Sequence, residues 1–314
     1  MQYYLAPMEG ITGALYRKAY AECFGNIDKY FTPFLSPNQN LSLTHRDRRE
    51  YEDHLSPARP LVPQILANKP ERFLWLLHVL YEDGYREINL NLGCPSKTVT
   101  SRGRGSAFLG ECYALKAFFE TIYEDELLSS GKVLLSVKSR VGVDDEDEFP
   151  WILELFNAFP LSELIIHART QKDFYGGTLR YEAYRLACEK AKMPVCYNGD
   201  VYTREDALRI QADFPRTKAI MIGRGILRDP GLMADIRGEK LPGREELLDF
   251  HDRLCRYYKE GMSGEQNMLY RMKELWTYWG ASFPGEEKML KRIKKCTRPE
   301  EYEGLARELI GSLG

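Results

Sequence analysis

Eight short apolar runs recur along the first three quarters of the chain, and most are separated by segments with helical periodicity. The runs are Tyr3–Ala6, Asp28–Phe31, Leu61–Ile65, Glu87–Asn91, Val133–Lys138, Glu163–His167, Val195–Asn198 and Ala219–Ile222. Alternating strands and helices indicate parallel pairing, because each crossover must return the chain to the same end of the sheet. Eight such units close a barrel, so the sequence predicts an α/β fold of the (β/α)8 TIM-barrel class.

The alternation ends near residue 238, and the remainder of the chain has a helical pattern only. The segment Gly238–Glu246 carries glycine and proline and is typical of a linker. Helices are predicted in the barrel at Leu15–Phe24, Glu71–Tyr81, Tyr113–Leu127, Phe149–Asn157, Glu182–Lys190 and Arg204–Gln211, and in the tail, whose pattern runs to Leu313, at Glu246–Tyr258, Gln266–Trp279, Glu286–Lys295 and Pro299–Leu309. We therefore expect a barrel domain over residues 1–238 and an all-helical bundle over residues 239–314.

Composition excludes several classes of protein. The 44 Lys and Arg residues nearly balance 46 Asp and Glu residues, which argues against an indiscriminate nucleic-acid binder. Seven cysteines, an odd number without a Cys-x-x-Cys pair, argue against a disulfide framework and a cysteine zinc site. No apolar run is long enough for a membrane span, and the N-terminus lacks a basic leader. We expect a cytoplasmic protein with no metal and no membrane contact.

Polar and reactive side chains lie at or just beyond the ends of the apolar runs. They are Met8, Gln64, Asn91, Cys94, Lys138, His167, Asn198 and Arg224. In a parallel barrel these positions meet at the C-terminal ends of the strands, where barrel active sites form. Ordinary burial does not require this distribution, so the pattern predicts a functional site.

Two glycine-containing tripeptides follow the seventh and eighth runs. They are NGD at Asn198–Asp200 and GRG at Gly223–Gly225. Barrels often bind phosphate after these strands, because glycine lets backbone N–H groups approach the anion and an arginine adds a charged donor. The alternative is a pair of tight turns without a ligand. Together the motifs favour a phosphate-bearing cofactor.

Three further side chains end strands and suit an aromatic ring with polar edges. Lys138 ends a run of Leu and Val and needs a partner if it is buried. His167 ends the next run, and Gln64 offers both a donor and an acceptor. The alternatives are a rim lysine that reaches solvent and a histidine satisfied by the protein.

Cys94 lies in the loop segment NLNLGCPSK, between Gly93 and Pro95. The loop, rather than a helix face, therefore presents its thiol. An unactivated thiol has a pKa of about 8.5 and is mostly protonated at neutral pH, so Cys94 is suited to donate a proton. The alternative, a small buried apolar side chain, is adopted for the other six cysteines. Long loops after strands, at 32–60 (with the very polar THRDRREYEDH) and 93–110, are candidate substrate contacts.

Six motifs in order resemble those of the tRNA-dihydrouridine synthases. They are APMEGIT (Ala6–Thr12), NLNLGCPSKTV (Asn89–Val99), SVKSRVG (Ser136–Gly142), HARTQKDFYGG (His167–Gly177), NGD (Asn198–Asp200) and MIGRG (Met221–Gly225). The match spans about residues 1–235, and a helical tail also suits the family. The GCP and HxRTxxxxYxG patterns are the more specific ones, and the chain departs from the family at Ala168, where glycine is usual.

The resemblance implies an FMN enzyme that reduces the carbon 5–carbon 6 bond of a uridine in tRNA, with NADPH as transient reductant. It implies that Cys94 protonates carbon 5 and that Asn91 and Arg140 face the uridine. It also implies FMN contacts from Pro7, Met8, Glu9, Gln64, Lys138, His167, Asn198, Gly199, Asp200, Gly223 and Arg224. The target base would have to leave the tRNA stack to reach the barrel mouth.

Two other functions compete with this interpretation. One is an FMN barrel that acts on a free pyrimidine, of the dihydroorotate dehydrogenase type, and the other is a non-catalytic tRNA-binding protein. Arg271 and Lys273 in the tail favour a macromolecular substrate and are candidate tRNA contacts, although acidic residues are almost as numerous there. Trp276, Tyr278 and Trp279 could stack on RNA, but their helical spacing favours a core position.

Overall fold

A single parallel sheet forms the centre of the molecule. Within residues 1–52, 60–262 and 264–312, which the computed structural model describes, the strands are β1 (Gln2–Leu5), β2 (Lys29–Phe31), β3 (Leu61–Val62), β4 (Gln64–Ile65), β5 (Glu87–Leu92), β6 (Leu134–Arg140), β7 (Glu163–His167), β8 (Val195–Asn198) and β9 (Thr217–Ile222). Their order in the sheet is β3-β2-β1-β9-β8-β7-β6-β5-β4.

The two ends of this sheet belong to one barrel strand. β3 pairs with β2, β4 pairs with β5, and only Pro63 separates β3 from β4. Proline lacks the N–H group that a continuous ladder would need at this point. The described strands therefore form an eight-stranded barrel, and the predicted TIM-barrel class is confirmed.

The predicted strand positions are confirmed, with small differences at the ends. β7 and β8 have the predicted bounds. β6 continues two residues beyond the predicted Lys138, because Ser139 and Arg140 still pair with the last residues of β7. Arg140 is therefore a strand residue, and its side chain starts from the rigid rim of the barrel.

Helices cover the outside of the barrel. They are α1 (Ala14–Cys23), α2 (His45–Glu52), α3 (Pro70–Glu82), α4 (Lys97–Thr100), α5 (Cys112–Ile122), α6 (Glu126–Ser129), α7 (Phe149–Asn157), α8 (Tyr181–Lys190), α9 (Arg204–Asp213), α10 (Arg224–Arg228) and α11 (Leu232–Arg237). The prediction of one helix over Tyr113–Leu127 is wrong. The Asp125 side chain accepts a hydrogen bond from Leu127 N (2.9 Å) and starts the separate helix α6.

The polar segment after β2 forms α2, whose buried side chain is that of Tyr51. The end of that segment, Asp53 and His54, lies outside the described residues, as do the rest of 53–59 and the last two residues of the tail.

Four helices form the tail: α12 (Arg244–Gly261), α13 (Glu265–Trp279), α14 (Glu287–Lys295) and α15 (Pro299–Gly311). Trp276 and Trp279 are buried and stacked with ring centroids 5.1 Å apart, which confirms the core interpretation. On the barrel side, the Phe250 ring in α12 contacts Tyr16 and Tyr20 of α1. Gly238, at φ 69°, ends α11, and the domain boundary proposed there stays a prediction.

The inside of the barrel is layered, because alternate residues of each strand point inward. At the N-terminal end, Lys29 Nζ contacts Glu87, and the Tyr4 hydroxyl donates to Glu163 Oε1 (3.0 Å). An apolar waist follows, and a polar layer lies at the C-terminal end. The waist consists of Tyr4, Ala6, Phe31, Val62, Ile165, Cys196, Ala219 and Met221. This layer separates the polar groups of the two ends.

The described residues include neither a candidate membrane span nor a candidate metal site. No helix in 1–52, 60–262 or 264–312 combines the length and apolar character needed to cross a membrane. The same ranges contain no group of three or more His, Cys, Asp and Glu side chains placed to hold a metal ion.

The buried Glu163 carboxyl predicts a specific pH dependence of stability. Burial raises its pKa to about 7, although Lys29 acts in the opposite direction. The folded state therefore holds this proton more tightly than the unfolded state does. The contribution of the protonated Glu163 to the free energy of unfolding is complete below pH 4.5 and is lost as the pH rises through 7. The free energy of unfolding of Glu163→Gln, relative to wild type, should therefore increase by on the order of 3 kcal/mol when the pH is raised from 5 to 8.5.

Urea unfolding at both pH values measures this difference. Glu154→Gln, at an exposed position in α7, is the matched control and should show no such gain. An equal stability difference between the Glu163 variant and wild type at both pH values would contradict the prediction.

Candidate active site

A cavity of about 520 Å³ opens at the C-terminal end of the barrel. It has the size of a cofactor or nucleotide pocket. Most of the site residues predicted from sequence line it, namely Pro7, Met8, Glu9, Gln64, Asn91, Cys94, Lys138, Arg140, His167, Asn198, Gly199, Gly223 and Arg224. Asp200, Arg271 and Lys273 do not line the cavity.

A chain of amide hydrogen bonds fixes the orientation of Gln64. Its Nε2 donates to Asn89 Oδ1 (2.7 Å), and its Oε1 accepts from Asn91 Nδ2 (2.7 Å). Asn89 in turn donates to Ser136 Oγ (2.9 Å). Because every amide has a defined partner, the donor and acceptor edges of Gln64 cannot exchange. The barrel presents a fixed polar edge to whatever occupies the cavity.

Asn91 also holds the loop that carries the cysteine. Its Oδ1 accepts from the backbone N–H groups of Gly93 (3.1 Å) and Cys94 (3.0 Å). On the other side of the loop, Ser106 donates to Cys94 O from both its backbone N (3.1 Å) and its hydroxyl (2.9 Å). These contacts fix the backbone that carries the thiol. Burial raises the pKa of Cys94, so the thiol stays protonated at neutral pH.

Lys138 and Asn198 form a second fixed pair on neighbouring faces of the cavity. Lys138 Nζ donates to Asn198 Oδ1 (2.8 Å), and Asn198 Nδ2 donates to Met221 O (2.8 Å). Burial, together with the nearby Arg140 cation, lowers the pKa of Lys138 to about 8. The ammonium group has no carboxylate partner among the described residues. Its charge is therefore available to an electron-rich ligand.

His167 lies at the end of β7 and is buried. Burial and the cations Arg140 and Lys138 hold the pKa of its imidazole well below the usual value, so the ring is neutral. Within the described residues, its Nε2 atom is buried without a hydrogen-bond partner. A buried polar atom of this kind on a cavity wall is suited to a ligand.

Asp200 organises the arginines beside the cavity. Its Oδ1 accepts from Arg224 (2.5 Å), and its Oδ2 accepts from Arg169 (2.7 Å). Arg169 is buried and also donates to the carbonyls of Gly176 and Gly177. Asp200 therefore positions Arg224 rather than facing the cavity. The sequence reasoning overlooked Arg169, although it lies within the HARTQ motif.

Gly199 and Gly223, directly before Asp200 and Arg224, lie where a larger side chain would meet close neighbours. A Cβ atom at Gly199 would lie 2.3 Å from Tyr197 Oη, and one at Gly223 would lie 3.2 Å from both Ala6 Cβ and Met8 Sδ. Glycine at these positions lets the backbone lie close to the Tyr197 ring and to the segment after β1 that carries Met8.

Arg140 is buried and holds two loops at the barrel rim, the one after β5 and the one after β7. Its guanidinium donates to the carbonyl oxygens of Gly93 (2.9 Å), Thr170 (2.6 Å) and Phe174 (2.5 Å). Its Cζ also lies 5.6 Å from the centroid of the Tyr175 ring. A structural role is therefore established for Arg140, while its predicted contact with uridine stays a prediction.

Two tyrosines, Tyr175 and Tyr278, also line the cavity. Sequence reasoning missed Tyr175, and the core position predicted for Tyr278 is wrong, because its side chain is only partly buried and faces the cavity. Tyr175 lies between two cations, with Arg140 Cζ and Arg224 Cζ each 5.6 Å from its ring centroid, and is 54% exposed. It belongs to the HARTQKDFYGG motif, so a signal was present. Tyr278 belongs to α13, so the tail contributes directly to the cavity wall.

The two predicted tail cations have partners within the protein. Arg271 donates to Gly10 O in the loop after β1 and forms an ion pair with Glu274 (2.6 Å). Lys273 Nζ donates to Cys296 O (2.8 Å), just beyond the end of α14. Arg271 therefore connects the tail to a loop that borders the cavity.

Comparison with known proteins assigns the chain to a family. Residues 4–310 match the family model described as dihydrouridine synthase (Dus). The chain belongs to the dihydrouridine synthase family. Relatives of this chain carry the name tRNA-dihydrouridine synthase, which is a flavin-dependent enzyme of this family. The family expected from the sequence motifs is therefore confirmed.

Relatives of this family member are about 30% identical to it over the aligned residues. The probable tRNA-dihydrouridine synthase 2 of Bacillus subtilis is 29% identical, over 78% of this chain and 74% of the relative. The tRNA-dihydrouridine(16) synthase of Pseudomonas syringae is 30% identical, over 75% of this chain and 74% of the relative.

Solved structures with low sequence identity share the barrel fold. Morphinone reductase superposes with a TM-score of 0.52 at 13% identity, covering 79% of this chain and 88% of that one. The old yellow enzyme from Trypanosoma cruzi superposes with a TM-score of 0.52 at 10% identity, covering 83% and 94%. This likeness concerns the fold alone.

The loop that carries Cys94 offers a test of how tightly it is held. Gly105 (φ 60°) and Gly103 (φ 62°) have the same left-handed backbone, but a Cβ at Gly105 would lie 2.6 Å from Cys94 O, whereas one at Gly103 meets only Asn68 Nδ2 at 3.5 Å. Alanine brings the same backbone strain to both sites. Gly105→Ala should therefore destabilise the protein by about 1–3 kcal/mol more than Gly103→Ala, measured by urea unfolding. Equal losses would mean that the packing on Cys94 is loose.

Proposed function

We propose that this member of the dihydrouridine synthase family is an FMN-dependent tRNA-dihydrouridine synthase that reduces the carbon 5–carbon 6 bond of a uridine in tRNA, with NADPH as reductant. The observation that carries the proposal is one cavity whose lining combines the Cys94 thiol with a fixed set of polar side chains. Of these, Gln64, Lys138 and His167 suit the edge of a flavin ring.

The lining residues fit FMN at both ends of that cofactor. The unpartnered Nε2 of His167 and the ordered amide of Gln64 provide polar partners for the ring, and Pro7, Met8 and Glu9 supply backbone beside it. Gly199, Gly223 and Arg224 offer close backbone and a guanidinium for the phosphate, with Asn198 beside them. Asp200, proposed from sequence as a phosphate contact, acts in this proposal by holding Arg224.

When bound, FMN would accept electrons from NADPH and would supply the hydride that carbon 6 of the uridine takes up. The chain's own contribution to this step is proton transfer from Cys94 Sγ to carbon 5 as a general acid. Asn91 and Ser106 hold the backbone of Cys94, so the thiol keeps one position. The Lys138 ammonium group places a positive charge beside the ring site, where it favours the electron-rich form of the cofactor.

We propose tRNA rather than a free pyrimidine as the substrate. A uridine must leave the tRNA stack to enter this cavity, and Asn91 and Arg140 are the proposed contacts for the base. Tyr278 brings the tail to the cavity wall, and Arg271 and Lys273 on the same helix are proposed tRNA contacts. A free pyrimidine would need no such extension. We place the reaction in the cytoplasm, where the seven free cysteines suit a reducing environment.

Arg224 tests the position of the FMN phosphate. The purified protein should contain non-covalent FMN, and Arg224→Ala should weaken FMN binding by about 10-fold or more, because the phosphate loses a charged donor. Arg228→Ala is the matched control, since Arg228 and Arg224 both lie over the Tyr202 ring but only Arg224 lines the cavity. Flavin fluorescence on titration of the apoprotein measures both affinities. A wild-type protein that neither contains nor takes up FMN would refute the cofactor proposal.

Cys94 tests the proposed proton transfer. Cys94→Ala should keep FMN and accept electrons from NADPH at the wild-type rate, yet form dihydrouridine about 10²–10⁴-fold more slowly. Cys112→Ala, in α5 and away from the cavity, should leave both half-reactions unchanged. Because burial raises the pKa of Cys94, product formation by wild type should decline only above the ordinary thiol pKa of about 8.5.

Stopped-flow absorbance of the flavin measures the first half-reaction, and mass spectrometry of the tRNA nucleosides measures the second. Normal product formation by the Cys94 variant at neutral pH would rule out its role as proton donor. A loss of flavin reduction in the same variant would assign Cys94 a structural role instead.

A further inference from the structure

A second pocket, which we call the arginine pocket, lies beside the loop of Cys94. It measures about 600 Å³ and is lined by residues 36–40, Arg72, Arg102 and Arg104. Residues 36–40 follow the second barrel strand and residues 102–104 follow β5, so the pocket lies on the same face of the barrel as the active-site cavity. None of its lining residues lines that cavity.

Three arginine side chains, those of Arg72, Arg102 and Arg104, meet at this pocket. Among the described residues, no carboxylate lines the pocket or forms an ion pair with Arg72, Arg102 or Arg104. Burial and the other two arginines lower the pKa of Arg104. Two other barrel arginines, Arg169 and Arg224, are instead paired with Asp200. Like charges held together in this way repel each other, and an anion between them would relieve the repulsion.

The pocket is built by specific contacts and does not depend on flexible surface side chains alone. Arg104 donates to Ser36 Oγ (2.5 Å) and thereby joins the two loops, while its Nε atom is buried without a partner in the described part of the chain. Asn68 Nδ2 donates to the carbonyls of Arg102 (3.1 Å) and Gly103 (3.0 Å). These bonds hold the loop that carries Arg102 and Arg104 against the start of α3, which carries Arg72.

The surroundings suit a ligand larger than an inorganic anion. Asn38 accepts from the N–H groups of Asn40 and Ser42 and so closes a tight turn. That turn holds Leu41 in a left-handed conformation (φ 50°), with 38% of its surface exposed. Exposed amides beside an exposed apolar side chain can contact ribose and base, while arginines contact phosphate.

We propose that the arginine pocket binds a phosphate ester of the substrate, namely a backbone phosphate of tRNA next to the uridine that enters the active site. The position supports this source, because Gly105, directly after Arg104, packs on Cys94 O. A base inserted beside Cys94 carries a phosphate on each side, and both cross the rim of the cavity. The inference rests on the proposed function, since it takes tRNA as the substrate. The other source of the same chemistry is a phosphate of NADPH.

The test uses the FMN-loaded full chain and an unmodified tRNA transcript, with filter retention measured over a range of salt concentrations. Arg72→Ala/Arg102→Ala removes two cations that form no side-chain bond in the described residues. Lys192→Ala/Lys218→Ala, exposed before β8 and near the start of β9, removes the same charge at the opposite end of the barrel. Two lost phosphate contacts should flatten the slope of log Kd against log salt by about 1.5–2 and weaken binding at 0.1 M salt by about 10–100-fold.

The lysine control should bind tRNA like wild type, and the apparent KM for NADPH in flavin reduction should be unchanged in both variants. An unchanged tRNA slope with a raised KM for NADPH in the arginine variant would overturn the assignment to tRNA and identify NADPH as the source of the phosphate. If neither the tRNA salt slope nor the KM for NADPH changes in the arginine variant, the proposal that this pocket binds a phosphate ester is wrong.

The flavin content of each variant reports whether it is folded. If the flavin content of the double variant falls, the single variant Arg102→Ala, at an exposed position, is used in its place. Failure of the wild type to bind tRNA would overturn this inference together with the proposed substrate. Binding by wild type with no effect of the arginines would overturn this inference alone.

Discussion

Closure of the barrel depends on the short strand at residues 61–65. Its first two residues pair with the strand on one side, β2, and its last two pair with the strand on the other side, β5. Leu61 and Val62 bond to β2, and Gln64 and Ile65 bond to β5, on either side of Pro63. The same short strand carries Gln64, whose side chain begins the amide chain through Asn91 to the backbone of Cys94. Barrel closure and the position of the thiol are thus mechanically connected.

Electrostatics give the cavity a consistent character. Lys138, Arg140 and Arg224 line it, whereas the described lining includes one carboxylate, Glu9, which pairs with Arg46. Burial among these cations keeps His167 neutral, and burial keeps the Cys94 thiol protonated. Such a cavity favours an anionic or electron-rich ligand and holds its proton donor in the form that can donate.

The layered barrel interior explains how a polar site and a stable core coexist. The apolar waist around Phe31 and Ile165 separates the site from the buried Glu163 at the other end. Each inward side chain is two residues from the next on its strand, so the end of β7 can carry His167 while its start carries Glu163. One strand therefore contributes to both polar layers without disturbing the core between them.

Much of this arrangement follows from the sequence itself. The alternation of runs and helices predicted the barrel, and the ends of the runs predicted which side chains would meet, because parallel strands bring their C-terminal ends to one rim. Cys94, Lys138 and His167 were found in this way. The helical tail and its tryptophan core followed from periodicity.

Other features depend on contacts between distant parts of the chain, which periodicity does not encode. The bond from Arg271 to Gly10 and the entry of Tyr278 into the cavity wall depend on how the tail packs on the barrel. Arg169 and Arg224 meet at Asp200 because β7, β8 and β9 are neighbours in register. Sequence determined which residues reach the rim. Tertiary structure decided which of them touch, because side-chain hydrogen bonds need distances within about 3 Å that strand register and loop course alone establish.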